Sequence, residues 1–102
     1  GEEDEHIPRG ATHVTVDGSC TFVRAHAFRG HRNIVTLVCH NKVEKIERYA
    51  LCECPALRRA IVPGVKIAQH AAFSGCEALR DVECGKLEIL EDHVFSGCTS
   101  LR

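Results

Sequence analysis

Positive charge is nowhere concentrated in this 102-residue chain, in which 13 Lys and Arg stand against 14 Asp and Glu for a formal net charge of -1. A nucleic-acid surface draws on clustered Lys and Arg. The short groups Arg29-Gly30-His31-Arg32 and Arg58-Arg59 are offset by acids such as Asp81 and Glu83, so no nucleic-acid partner is expected. Long apolar runs are missing too. No stretch approaches the ~18–20 residues needed to cross a bilayer, and no signal-peptide pattern opens the chain, which predicts a soluble chain without direct membrane insertion. The seven cysteines include no Cys-x-x-Cys pair, the mark of a structural zinc site. Neither a metal nor another cofactor is expected, and the least unsuitable ligands are His26, His31, Cys52 and Cys54. Catalytic constellations are equally scarce. Cys52 is expected, with Cys20, to be exposed near histidines, but a nucleophile also needs a positioned base and an oxyanion pocket. Gly30, Gly75 and Gly97 read as turn residues rather than a phosphate-cradling loop. The expectation is a protein that is not an enzyme.

What the chain does contain is a repeat. Phe28, Leu51, Phe73 and Phe95 recur at steps of 23, 22 and 22 residues, and each is followed six residues later by Ile34, Leu57, Leu79 or Leu101. Further apolar columns keep the same phase: Val14, Leu37, Ala60, Val82; Val16, Cys39, Val62, Cys84; Cys20, Val43, Val65, Leu87; Val23, Ile46, Ala68, Leu90. Chance would supply one such column in a chain with 44% hydrophobic residues, but not several in common phase. Self-similarity at this period predicts a solenoid. By length the chain is one domain. An acidic, flexible lead is expected over 1–11, beginning Gly1-Glu2-Glu3-Asp4-Glu5, and the solenoid over 12–102, truncated or uncapped at its C-terminal end because no polar closing segment follows Leu101.

Within each unit, Val14-Thr15-Val16, Leu37-Val38-Cys39, Ala60-Ile61-Val62 and Val82-Glu83-Cys84 alternate with the two-residue rhythm of a strand. Stacking would join them in a parallel sheet. A second extended piece, Lys42-Val43-Glu44-Lys45-Ile46 and its equivalents, follows a turn. The segments ending in Phe28, Leu51, Phe73 and Phe95 read as one or two helical turns, three of them closed by glycine. Spacing excludes long helices. The fold class is thus an α/β solenoid with a parallel sheet of short strands and short helical or 3-10 turns.

The phrases Leu90-Glu91-Asp92-His93-Val94-Phe95-Ser96-Gly97-Cys98-Thr99-Ser100-Leu101 and Ala72-Phe73-Ser74-Gly75-Cys76-Glu77-Ala78-Leu79 resemble the BspA-type leucine-rich repeat, and the resemblance extends over about 12–102. It implies a repeat stack used in protein recognition, in some members at cell surfaces, with no shared enzymatic activity. Three departures stand out. His31 replaces the usual Cys, Leu51 replaces Phe and Ala68 replaces a large aliphatic, so those coils are expected to pack less regularly than the last one.

Cys54, Cys76 and Cys98 share one column and Cys39 and Cys84 another, which makes them fillers of repeated core slots in a reduced ladder. Unpaired thiols favour an intracellular compartment, whereas the resemblance implies a cell surface for some members. If Val14, Leu37, Ala60 and Val82 face inward, Thr15, Val38, Ile61 and Glu83 must face outward. The expected protein-binding residues are therefore Val38 and Ile61, rimmed by Thr36, His40, Arg59, Asp81 and Glu83. Strict alternation turns a further row, Phe22, Lys45, Ile67 and Ile89, into the core, with only Lys45 speaking against it. Two function classes follow: a recognition module that binds a protein partner through this sheet face, or a structural spacer making end-to-end contact with a neighbouring chain.

Overall fold

A computed structural model describes residues 10–101. Most of the acidic lead expected over 1–11 lies outside the described residues. Eight strands alternate between two parallel sheets. β1 (His13–Val16), β3 (Thr36–Cys39), β5 (Arg59–Ile61) and β7 (Asp81–Glu83) form the first, in the order β1-β3-β5-β7. The second holds β2 (Phe22–Val23), β4 (Lys45–Ile46), β6 (Ile67–Ala68) and β8 (Ile89–Leu90), in the order β2-β4-β6-β8. Each strand pairs with its equivalent one repeat away, so Val14, Leu37, Ala60 and Val82 stand opposite one another, as do Val23, Ile46, Ala68 and Leu90. The sequence columns are the registers of the sheets.

These columns build a single apolar spine. Ile34, Leu37, Val43, Ile46, Leu51, Leu57, Val65, Phe73 and Leu79 are fully buried, and the core contains no buried charged side chain among the described residues. Phe73 stacks on Phe95 with ring centroids 5.7 Å apart. Burying one such ring contributes roughly 1.5–3 kcal/mol. Leu51 and Ala68, two of the departures from the repeat pattern, are as well buried as their equivalents. The coil that follows the pattern most closely is the exposed one, with Leu90 at 53% exposure, because no described residue packs on its far side. Position in the stack decides burial here more than match to the pattern.

The segments read from sequence as short helical turns contain no helix. Each is a succession of β-turns, and in the first three the alternate N–H groups leave the segment. His26, Phe28 and Gly30 donate to Arg48, Ala50 and Cys52 carbonyls, Tyr49, Leu51 and Glu53 to His70, Ala72 and Ser74, and Ala71, Phe73 and Gly75 to Asp92, Val94 and Ser96. A helix would need those donors for its own carbonyls. The residues between close local turns instead, as in Ala27 N–H to Arg24 O and His31 N–H to Phe28 O. Positive φ at the third turn position follows from this geometry. Gly30, Gly75 and Gly97 hold it in one column, where Glu53 takes the same conformation, and His26, Tyr49, Ala71 and His93 hold it in another.

Strict alternation fails at the start of the strands, for one repeated reason. Val35 and Thr36 N–H both donate to Thr12 O, Arg58 and Arg59 N–H to Val35 O, and Arg80 and Asp81 N–H to Arg58 O. The second sheet does the same, with Lys66 and Ile67 N–H on Glu44 O and Glu88 and Ile89 N–H on Lys66 O. Two successive N–H groups point at one carbonyl there, so two consecutive side chains take the outer side while the coils stay in one-to-one register. The row Phe22, Lys45, Ile67 and Ile89, expected in the core, is turned outward, at Ile67 and Ile89 through these shared carbonyls. Phe22 is 41% and Ile89 50% exposed, while Val23, Ile46 and Ala68 face in.

Close approach between coils is greatest at Gly64, where an added Cβ would overlap the Asn41 backbone carbonyl. Gly64→Ala is expected to destabilise the fold by about 1–3 kcal/mol, the usual range for forced overpacking. Gly10→Ala, which meets nothing, should be close to neutral. Equilibrium urea unfolding of the two variants beside the parent checks the difference.

Candidate functional site

The shared carbonyl at the strand start and the alternation within the strand together determine which side chains share the outer face of the first sheet. On β3 and β5, Val38 pairs with Ile61 and both are half-buried, while Leu37 and Ala60 point to the core. Thr36, Arg59 and Asp81 form the adjoining row, and Glu83 continues the Val38–Ile61 row onto β7. Arg59 Nη2 lies 2.6 Å from Glu83 Oε2, a bridge that runs diagonally from β5 to β7. Both partners are exposed, so the bridge adds at most about 1 kcal/mol. Its effect is to order that side of the face.

His40 stands apart from this group. Its Nδ1 accepts the Lys42 N–H at 3.1 Å, and its ring packs where a Gly18 side chain would otherwise lie. Those contacts shape the turn after β3. Six of the seven expected binding residues therefore lie together on one face, with His40 held at its margin.

Sequence reasoning missed three contributors. The shared carbonyls turn Val35, Arg58 and Arg80 to the same side as Thr36, Arg59 and Asp81, and the six line a shallow groove of about 300 Å³. The shared column of Arg58 and Arg80 was visible in the repeat, but a simple alternating strand would have pointed it away from Arg59.

The candidate ligands for zinc are dispersed. Among the described residues no three His, Cys, Asp or Glu side chains converge in a way that would hold a metal. His26 stacks on Tyr49 at 5.1 Å and its Nδ1 faces Arg29 Nη1 at 3.2 Å, while His31 Nδ1 accepts the Asn33 N–H. Cys52, expected to be exposed, is buried, and the Arg29 guanidinium of the neighbouring coil lies over the nearby Tyr49 ring. Cys84 is the exposed thiol.

The cysteine column is more than apolar filling. Cys54, Cys76 and Cys98 Sγ donate to Phe28, Leu51 and Phe73 carbonyls at 3.1, 2.9 and 3.1 Å, tying each coil to the phenylalanine or leucine of the one before. A buried thiol needs its proton to make that bond. None of the seven cysteines forms a disulfide. Burial pushes Cys39 up to about 12 and Cys98 up to about 11, and interaction with Cys54, then burial, pushes Cys76 up. Acids in the turn segments also act between coils: Glu47 Oε1 accepts the Ala25 N–H and Glu91 Oε1 the His70 N–H, each at 3.1 Å. The structure thus assigns carboxylates of this column to the amides of the preceding coil.

Two parallel sheets wound from 22- and 23-residue units, with a thiol column bonded to the preceding coil, define a leucine-rich repeat solenoid. A family model described as "BspA type Leucine rich repeat region (6 copies)" matches residues 9–102. The chain belongs to the BspA-type leucine-rich repeat family, a class of module commonly used in contacts between proteins. Comparisons with curated proteins and with solved structures give no match.

Two outcomes are expected from the thiols. Ellman's reagent should modify Cys84 rapidly in the native protein, with Cys39, Cys52, Cys54 and Cys76 reacting only on unfolding; fast native modification of those four would contradict the packing. Stability should also fall with alkaline pH. An unfolded thiol ionises near 9.0, whereas folded Cys98 and Cys39 hold their protons to about 11 and about 12. The folded state therefore binds more protons between these values, and its stability is lost as pH rises through that window. Urea midpoints measured from pH 7 to 11 should decline above about 9, less steeply in Cys39→Val.

Proposed function

We propose that the outer face of the first sheet is a protein-recognition surface, with Val38 and Ile61 at its centre and Thr36, Arg59, Asp81 and Glu83 around them. The observation that carries this reading is the half-buried Val38–Ile61 pair, in register on neighbouring strands and bordered by charge. Such an arrangement matches the apolar centre and polar rim of a protein contact. The rigid spine supports recognition without any catalytic chemistry, since it holds the face in one geometry and little ordering cost remains for binding.

Affinity capture with the parent protein and with Val38→Glu/Ile61→Lys, run side by side, tests the proposal. The expected outcome is loss of the captured partner with an unchanged circular dichroism spectrum. Retention of the same partner by the folded variant rejects it.

A second reading draws support from a different part of the molecule. Val82, Leu87, Leu90, Phe95 and Leu101, which continue the core columns, line an open hollow of about 610 Å³ at the last coil. End-to-end contact with a neighbouring chain would cover them. Sedimentation velocity across a hundredfold concentration range is expected to show self-association weakened by Leu90→Glu; a monomer at every loading excludes this reading.

A further inference from the structure

The shared carbonyls at the start of β5 and β7 turn Arg58 and Arg80, in successive coils, to the side of the sheet that Arg59 also occupies. Arg58 and Arg80 occupy one column, with Arg80 N–H on Arg58 O at 2.9 Å, so their backbones are direct neighbours in the stack. With Arg59, Asp81, Val35 and Thr36 they line the groove of about 300 Å³ described above. Asp81 is the one acid lining the groove, and Arg59 is engaged by Glu83. Among the described residues, neither the Arg58 nor the Arg80 side chain has an acidic or carbonyl partner. Like charges on adjacent strands disfavour the fold. Here they recur in two successive coils of a chain whose overall charge is -1.

We infer that the Arg58–Arg80 pair is a carboxylate subsite of the recognition face, taking a Glu or Asp side chain of a protein partner whose adjacent apolar residue rests on Val38 and Ile61. The inference rests on the recognition reading above and adds the chemistry of the partner. A planar guanidinium presents paired N–H donors that match the two oxygens of a carboxylate, and two such forks on neighbouring strands can hold one carboxylate or two spaced along an extended segment. Charge complementarity sets the choice of occupant. Along β3 and β5 the groove residues Thr36 and Arg59 adjoin the Val38–Ile61 row, and a chain of net charge -1 lacks the extended cation cluster that continuous phosphates draw on. An acidic side chain followed by an aliphatic one satisfies both halves of the face.

The test uses the whole chain and the blocked peptide acetyl-Glu-Ile-Glu-Val-amide, followed by NMR through the arginine Nε–Hε signals. The peptide is expected to shift Arg58 and Arg80 in a saturable manner. Binding should weaken about tenfold or more when its glutamates are replaced by glutamine, and by a similar factor in Arg58→Gln/Arg80→Gln, in keeping with loss of charged hydrogen bonds. Arg58→Lys/Arg80→Lys should recover only part of it, because the ammonium lacks the fork. Equal binding of the glutamine peptide, or full binding to the Gln variant, overturns the inference. So does inorganic phosphate or oligo-dT giving the same shifts at lower concentration than the peptide. The two readings separate through the Val38→Glu/Ile61→Lys protein. Loss of peptide there, with none in Arg58→Gln/Arg80→Gln, leaves the apolar face standing and removes the carboxylate subsite. The reverse pattern keeps the subsite and removes the apolar centre.

Discussion

Backbone hydrogen bonding from each coil to the next is the constraint on which this molecule depends. Each of the first three turn segments hands three alternate N–H groups to its successor, and the strands on either side are joined coil to coil in two parallel sheets. Buried backbone donors must find acceptors, and a unit of 22 or 23 residues cannot supply enough of its own. Neighbouring coils supply them, which is why a repeat of this kind folds only as a stack. The apolar columns follow from that arrangement, since stacking the backbones in register stacks the side chains as well. Even the thiol column obeys it, with Cys54, Cys76 and Cys98 each bonded to a carbonyl one coil back.

The same ladder explains where the side chains of the outer faces go. At the starts of β3, β5, β6, β7 and β8 two successive N–H groups share one carbonyl, and two consecutive side chains take the outer side. On the second sheet this exposes Phe22 and Ile89 and leaves Lys45 beside Glu47 and over the Phe22 ring. On the first it gathers Arg58 and Arg80 beside Arg59. A backbone device repeated for structural reasons thereby sets the charge pattern of the candidate recognition face. The face is rigid because the groups that position it are main-chain groups of the stack rather than flexible side chains.

Much of the fold was legible in the sequence because the period was. Val14, Leu37, Ala60 and Val82 could be placed in one inward row before any coordinates, and the Val38–Ile61 pair followed from simple alternation. The turn segments were misread as helical, since Ala-Phe followed by glycine has the same local composition in a helix end and in a run of β-turns. The difference lies in where the N–H groups go, and those acceptors are some 22 residues away in the chain. His40 was grouped with the face by position, while its ring is drawn into the turn by Lys42 N–H.

What the sequence determined by itself is the register: equal spacing of apolar residues leaves one way to stack them that buries every column. Only the tertiary structure decided which side each flanking residue takes. A shared carbonyl at the strand start costs one step of alternation and leaves no trace in composition, so the outward turn of Phe22 and Ile89, and the meeting of Arg58, Arg59 and Arg80, come from hydrogen bonds between coils.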